Sequence, residues 1–301
     1  MADSAGQVLI RGLDVDKAIK GFALEANIFR SFVTSSKTSA REMRWYSKDG
    51  ATLDSVTTTG ITGSNIMGVG SRALPEVQEQ EWTRNTSYVK KFMIESPTFS
   101  IEDMKDADVD VLGTNLRDLT RGLARKIDLR IYSVITEATA AAPTVPNPSN
   151  VNFAAATADG WNVTATADPI QDILLGKQKI RVAGYDPEGS ILLMNPIEHR
   201  YLLQFLINVK GSSIPNWSSE KVGTGVVMNI LGCRVVVSEN ATTNYVIQIV
   251  PNRAATWKTF MGLTTAVINN PGIGKKVRIW EEGECILTDP KAVNVITDVT
   301  N

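Results

Sequence analysis

Metal, nucleophile and phosphate chemistry each need a recognisable set of side chains, and this sequence offers few. It contains one histidine, His199, and two cysteines, Cys233 and Cys285. Zinc sites draw on clustered Cys and His, and these three residues show no ligand spacing. His199 lies in Pro196-Ile-Glu-His-Arg-Tyr-Leu-Leu, which reads as the first turn of an amphipathic helix with the imidazole facing solvent. Nucleophilic catalysis through a His base lacks its G-x-S-x-G turn. Gly68-Val-Gly70 is a fragment of a dinucleotide fingerprint without the strand-then-helix pattern around it. Gly272-Ile-Gly274-Lys275 misses the Walker spacing, and Val277 stands where a Ser or Thr is needed, so a tight turn before a strand is the better reading. Glu281-Glu282-Gly283-Glu284 could attract a hard cation, but without EF-hand spacing a charged hairpin turn is the simpler expectation. No catalytic residue, metal or cofactor is therefore expected.

The composition points the same way. The chain has 301 residues, with 31 Lys+Arg against 32 Asp+Glu and a net charge of −1. That balance argues against a protein whose main task is gripping nucleic acid, which needs a basic excess or stripe. No apolar run reaches the ~18 residues of a membrane span. Two cysteines fit a reducing compartment better than a disulfide framework. A hydrophobic fraction of 43% is that of an ordinary globular chain.

The elements that would position any site follow from periodicity. Val15, Ile19, Phe22, Ala26, Phe29 and Val33 recur at steps of three and four, predicting an amphipathic helix over 14–33 with Asp14 as its cap. Residues 51–71, ATLDSVTTTGITGSNIMGVGS, carry scattered apolar residues and no helical stripe. Their β-branched content favours extended structure, and so long a stretch without a core predicts an arm ordered by something outside the fold. Residues 85–96 alternate as a half-buried strand ended by Pro97. Leu112, Leu116, Leu119, Leu123, Ile127, Ile131 and Ile135 then mark one face of a long helix, expected to run about 28 residues, a rod of about 40 Å, closed by Ala138–Ala142 and Pro143. The Pro, Asn, Ala and Thr of 143–167 read as a subdomain boundary. Beyond it, helices at 169–182 and 196–209 alternate with short strands at 190–194, 226–230, 233–237, 244–250 and 255–260, an α/β texture. Segments 264–267, 276–281, 284–287 and 292–296 return to strands expected to pair with 85–96.

This order of elements resembles the major capsid proteins of tailed double-stranded DNA viruses, the Hong Kong 97-type fold. The resemblance is carried by Glu79–Ile135, similar to a strand plus spine helix, and by GYDPEGSILLMNPIEHRYLLQFL with LGCRVVVSENATTNYVIQIVPNRAATWKTF between Gly184 and Phe260. It implies an α+β fold with an N-terminal arm at 1–44, an extended loop at 45–75, a peripheral domain at 76–142, an axial α/β domain at 143–260 and peripheral return strands at 261–301. On that mapping the intersubunit loop would use Trp45, Lys48, Leu53, Ile61, Ile66, Met67 and Arg72. The spine would be Leu116, Leu119, Leu123, Ile127 and Ile131, and an axial loop would hold Lys210, Pro215 and Trp217.

The function so implied is a structural protein, not an enzyme, self-assembling through pentamers and hexamers into an icosahedral shell around packaged DNA that it touches weakly. Its setting would be the virion capsid, assembled in the host cytoplasm without a membrane. Its partners would be further copies of itself, with a separate scaffold protein, portal and decoration proteins as candidates. Some members of the family carry a scaffolding region ahead of the fold; none is expected here before the helix at 14. The prototype cross-links a loop lysine to a neighbour's asparagine, and residues 51–71 contain no lysine, so no covalent chainmail is expected. Two alternatives share the sequence features: an encapsulin-like nanocompartment enclosing a cargo enzyme, and a soluble α/β enzyme with residues 51–71 as a lid.

Overall fold

The computed structural model describes residues 28–48, 71, 82–106, 111–157, 159–163, 165–208 and 229–300. A 3-10 turn, Phe29–Phe32, is followed by β1 (Thr34–Lys37), β2 (Glu42–Lys48), β3 (Trp82–Tyr88), β4 (Lys90–Glu95) and β5 (Phe99–Ser100). Next come α1 (Ile101–Asp106), α2 (Val111–Ile135), β6 (Asn152–Ala155), α3 (Pro169–Val182), β7 (Ile191–Met194) and α4 (Pro196–Asn208). The chain closes with β8 (Asn229–Ile230), β9 (Cys233–Val237), β10 (Val246–Ile249), β11 (Ala255–Asn270), β12 (Gly274–Leu287) and β13 (Val293–Thr297). Residues 40–89 form one compact unit, in which β2 and β3 pair antiparallel; the rest of the chain is the other.

Within the larger unit a five-stranded sheet runs β1-β11-β12-β4, with β5 also on β12, and a six-stranded sheet runs β6-β13-β10-β7-β9-β8. The six-stranded sheet is buried on both faces. Ile191, Leu193, Ile247, Ile249, Val293 and Val295 enter the core that α2 shares with the five-stranded sheet. Their alternating neighbours Leu192, Met194, Val246 and Ile296 enter a second core with Ile173, Leu202 and Phe205 from α3 and α4. A strand's period of two delivers this division, and full burial on both sides explains why these strands read as continuous apolar runs.

The helices start where local chemistry says they should. Asp168 accepts from the Gln171 N–H at 3.3 Å, with Pro169 in the first turn of α3. Asn195 Oδ1 accepts from Ile197 N–H at 3.1 Å ahead of α4. The long helix α2 has 25 residues, about 37 Å at 1.5 Å per residue. It stops at Ile135, short of the expected Ala138–Ala142 run, because Glu137 adopts a left-handed φ of 53°. Ala138 N–H then reaches Ser133 O and Glu137 N–H reaches Val134 O, the two hydrogen bonds of a Schellman cap. A glutamate at that position is compensated by its own carboxylate, which accepts from the backbone N–H groups of Ser149, Asn150 and Val151.

Several expectations are corrected. Of the helix expected over 14–33, residues 14–27 lie outside the described residues, and 29–32 form a 3-10 turn followed by extended Val33. The 143–167 segment includes β6, which adds in parallel to β13 because Val295 and Ile296 supply a core edge that no local signal announced. Segments expected as separate strands merge: β11 is 16 residues long and β12 is 14, so position 260 falls inside β11. β12 pairs with β4 as expected, whereas β13 lies between β6 and β10 in the other sheet. Glu281, Glu282 and Glu284 stand in mid-strand, not in a turn; the turn is Pro271–Ile273, at the glycine pair, with Gly272 at φ 75°. His199 is half-buried, and burial lowers its imidazole below the ordinary value.

Candidate functional site

One set of charged and aromatic groups of the larger unit gathers around residues 28–37, on one flank of α2. The 3-10 turn has no cap of its own, and Asp128, fully buried on α2, supplies one from a distance: its carboxylate accepts from Ile28 N–H at 2.7 Å and Arg30 N–H at 3.3 Å. Burial lifts the Asp128 carboxyl above its ordinary value, against the hydrogen bonds from Ile28, Arg30 and Phe29. The Phe29 ring lies 5.6 Å from that of Tyr132, and the Arg30 guanidinium sits over Trp257 at 5.7 Å and pairs with Glu281 at 3.1 Å. Beyond Val33, Thr34 Oγ1 donates to Asn252 O and β1 runs parallel to β11. Helix, sheet and loop therefore hold residues 28–37 together.

The three glutamates of β12 extend this charged seam. Glu284 is fully buried and takes Arg130 of α2 at 2.7 Å and Lys90 of β4 at 3.4 Å. Glu282 faces Lys91 at 3.8 Å. Gly283 between them has no room for a side chain: a Cβ would stand 2.7 Å from the Trp257 ring and 2.8 Å from Lys258 O. Each carboxylate buried here is met by a cation, the condition under which charge is tolerated inside a protein. Among the described residues, no group of His, Cys, Asp and Glu is placed to hold a metal ion. The thiol of Cys285 is buried, and desolvation ahead of Glu284's charge pushes it out of the reactive range.

The six-stranded sheet carries a neutral polar cluster instead. Gln248 Nε2 donates to Ser190 Oγ at 3.1 Å and reaches Cys233 Sγ at 3.4 Å. Asn294 lies opposite Gln248 across the β10–β13 pair. Gly176 of α3 rests on them, so close that a Cβ would fall 2.5 Å from Gln248 Oε1 and 2.7 Å from Asn294 Nδ2. The outer face of α3 borders an open cleft of about 470 Å³ lined by Leu174, Lys177, Arg181, Val182, Pro187 and Glu188.

The residues singled out from sequence fall unevenly. On α2, Leu123, Ile127 and Ile131 are fully buried and Leu119 packs against them, while Leu116, near the start, is 38% exposed. Trp45 is half-buried in β2, and Lys48 ends that strand. Leu53, Ile61, Ile66, Met67, Arg72, Lys210, Pro215 and Trp217 lie outside the described residues. Sequence reasoning marks Glu281, Glu282 and Glu284 but misses their burial and ion pairs, and it misses Asp128 as a cap. For Asp128 the available signal is its position in the run Ile127-Asp-Leu-Arg-Ile, a carboxylate one place from the apolar stripe.

The whole arrangement, a long helix against a five-stranded sheet joined to a six-stranded α/β layer, matches a known family. The model for phage capsid proteins covers residues 98–291. The chain belongs to that family. A phage capsid protein is a structural shell protein that associates with copies of itself. No curated protein matches the sequence. Among solved structures, the capsid of a native GTA particle covers 100% of both chains at 13% identity and a TM-score of 0.69. The mature capsid of bacteriophage PhiM1 covers 96% of this chain and 90% of its own at 16% identity and 0.65. A virus-like particle from Pyrococcus furiosus covers 89% and 91% at 11% identity and 0.56. At such identities the likeness is one of fold, the Hong Kong 97-type capsid fold. Among the described residues, no helix of this capsid protein is long and apolar enough to cross a membrane.

Proposed function

We propose that this chain is the major capsid protein of a tailed double-stranded DNA virus, assembling through hexamers and pentamers into an icosahedral shell around packaged DNA. The observation that carries the reading is the family match over 98–291, the stretch that runs from before α2 to the end of β12. On this reading the five-stranded sheet with α2 is the peripheral domain. The six-stranded sheet with α3, α4 and β13 is the axial domain, and β2–β3 is the base of the extended loop. The subunit works as a building block and not as an enzyme: the family is one of structural shell proteins, which favours this over a lid-bearing enzyme. It is assembled in the host cytoplasm, with scaffold, portal and decoration proteins as further partners and DNA held weakly, in keeping with the −1 net charge.

Negative-stain electron microscopy of the purified protein, read beside its elution volume on a sizing column, tests the proposal. Closed shells or rings of five and six are expected. A monomer that stays monomeric with a scaffold partner present overturns it. Boiled shells are expected to run as single subunits on a denaturing gel, since residues 51–71 hold no lysine; a ladder of multimers would contradict this. The second reading is an encapsulin-like compartment with a protein cargo; the virus-like particle from Pyrococcus furiosus has a similar fold. Nucleic acid at packing density inside the shells separates the first from the second.

A further inference from the structure

The loop between β9 and β10, residues 238–245, is a junction where α2, α4 and residues 299–300 meet. From α2, Arg125 Nε donates to Asn240 Oδ1 at 2.9 Å, and the Tyr132 hydroxyl accepts from Thr242 N–H at 3.1 Å. From the start of α4, Asn195 Nδ2 donates to Ala241 O at 2.9 Å, and Glu198 Oε1 accepts from Asn244 N–H at 2.7 Å. Asn244, at a left-handed φ of 73°, holds residues 299–300 in turn. Its Oδ1 accepts from Thr300 N–H at 2.6 Å and its carbonyl from Val299 N–H at 3.3 Å.

Glu198 stands apart from the other buried carboxylates. It is fully buried, and among the described residues its Oε2 has no hydrogen-bond partner and no cation stands against it. The glutamates of β12 each meet a cation, and Asp128 fills both oxygens with N–H groups. Asp172 fills both as well, from Thr157 N–H at 2.7 Å and Trp161 Nε1 at 2.8 Å. The titratable groups around Glu198 are the Tyr132 phenol of α2 and, beside Asn244, Tyr245, neither of them a cation. On α4, His199 is half-buried, and exposed Arg200 lies over Tyr201 at 4.7 Å; Glu239 and Asp298 of the adjoining segments are exposed. An ionised carboxylate here is buried with an unpaired oxygen, whereas a neutral carboxyl keeps the Asn244 bond at far smaller cost. Burial accordingly lifts the Glu198 carboxyl above its ordinary value, against the N–H groups of Asn244, Glu198 and Asn195.

We propose that Glu198 is a proton-operated latch: neutral, it holds Asn244 and through it residues 299–300 against α4; ionised, it admits water and releases both. The latch belongs to the single subunit and does not depend on the shell that the subunit builds. Its contribution is full below the ordinary carboxyl range and is lost as pH rises through the folded value. Glu198 also stands three residues after Asn195, the acid's place in a capping box. A carboxylate acting only as a cap is favoured when ionised, by the positive end of the helix, so it would tighten the junction as pH rises. The two roles therefore differ in sign.

Hydrogen exchange of the wild-type subunit, read by mass spectrometry over a pH series and corrected for intrinsic exchange rates, tests the latch. Protection of 240–244 and 297–300 is expected to fall about tenfold for each unit of pH above the folded value, while the β7–β10 pairing stays protected. Glu198→Gln keeps an acceptor for Asn244 and cannot ionise, so its protection is expected to stay flat. Wild-type protection that is flat or rises with pH overturns the proposal, and this series stands by itself should the variant fail to fold. A folded Glu198→Gln subunit that follows the wild-type fall places the titration on another group and overturns it as well.

Discussion

The two sheets of the larger unit solve the same problem with opposite materials. Both bury polar side chains under a helix. The five-stranded sheet buries Glu281, Glu282 and Glu284 and meets them with Arg30, Lys91, Arg130 and Lys90, drawn from the 3-10 turn, β4 and α2. The six-stranded sheet buries Gln248, Asn294, Ser190 and Cys233, all uncharged, and presses Gly176 of α3 against the amides. Ion pairing ties elements distant in sequence and makes each partner indispensable, because a lone buried charge is costly. Neutral packing makes fit the deciding quantity, and a single methyl group is felt. The five-stranded sheet should therefore be vulnerable to charge removal and the six-stranded one to added volume.

The sharpest test is Arg130→Met, which leaves the buried Glu284 with the exposed Lys90 as its cation, beside the Cys285 N–H. It is expected to cost about 3 kcal/mol in denaturant unfolding of the subunit. A loss under about 1 kcal/mol would remove the contrast. Gly176→Ala should cost about 2 kcal/mol despite alanine's better helix propensity, since its Cβ meets two buried amides. Equal or higher stability by the same measurement would mean the amides step aside. Asp128→Ala should cost about 1 kcal/mol as a lost cap, with faster proteolytic cleavage near Ile28 as its signature.

The smallest effect is a pair of opposite pH slopes. Asp128 has its carboxyl raised by burial, so its contribution is full below the ordinary carboxyl range and is lost as pH rises through the folded value. Burial pushes the Glu137 carboxyl up as well, but bonds from Ser149, Asn150 and Val151 outweigh it and hold it low. Its contribution is present above the ordinary value and lost as pH falls through the folded one. Stability of wild type relative to Asp128→Asn should rise on acidification, and relative to Glu137→Gln should fall. Parallel slopes would refute the assignment of causes.

What could be read from the sequence was what local chemistry decides. The stripe from Leu119 to Ile135 and the proline-led starts of α3 and α4 needed no knowledge of partners. Three features did. The acidic run at 281–284 looks like a solvated turn until Arg130 and Arg30 are placed beside it. The 152–155 stretch looks like linker until β13 offers it an edge. The end of α2 is set by Glu137, whose carboxylate stabilises the loop at 149–151, and no residue propensity encodes that. Of the expected assembly residues, only α2 and the base of the loop fall where contacts can be named.

The β1–β11 pairing and the Arg30–Glu281 ion pair, 251 positions apart, fix an order of events during synthesis. Elements emerge from the ribosome from the N-terminus onward, and non-local pairings must wait for their partner. The five-stranded sheet cannot close around residues 28–37 until β11 and β12 have been made. A polypeptide released before β11 and β12 would lack the partners of Asp128's neighbour Arg30 and of β1, so the anchoring of residues 28–37 depends on both strands having been made. Only a chain extended through β12 can close this sheet around that segment.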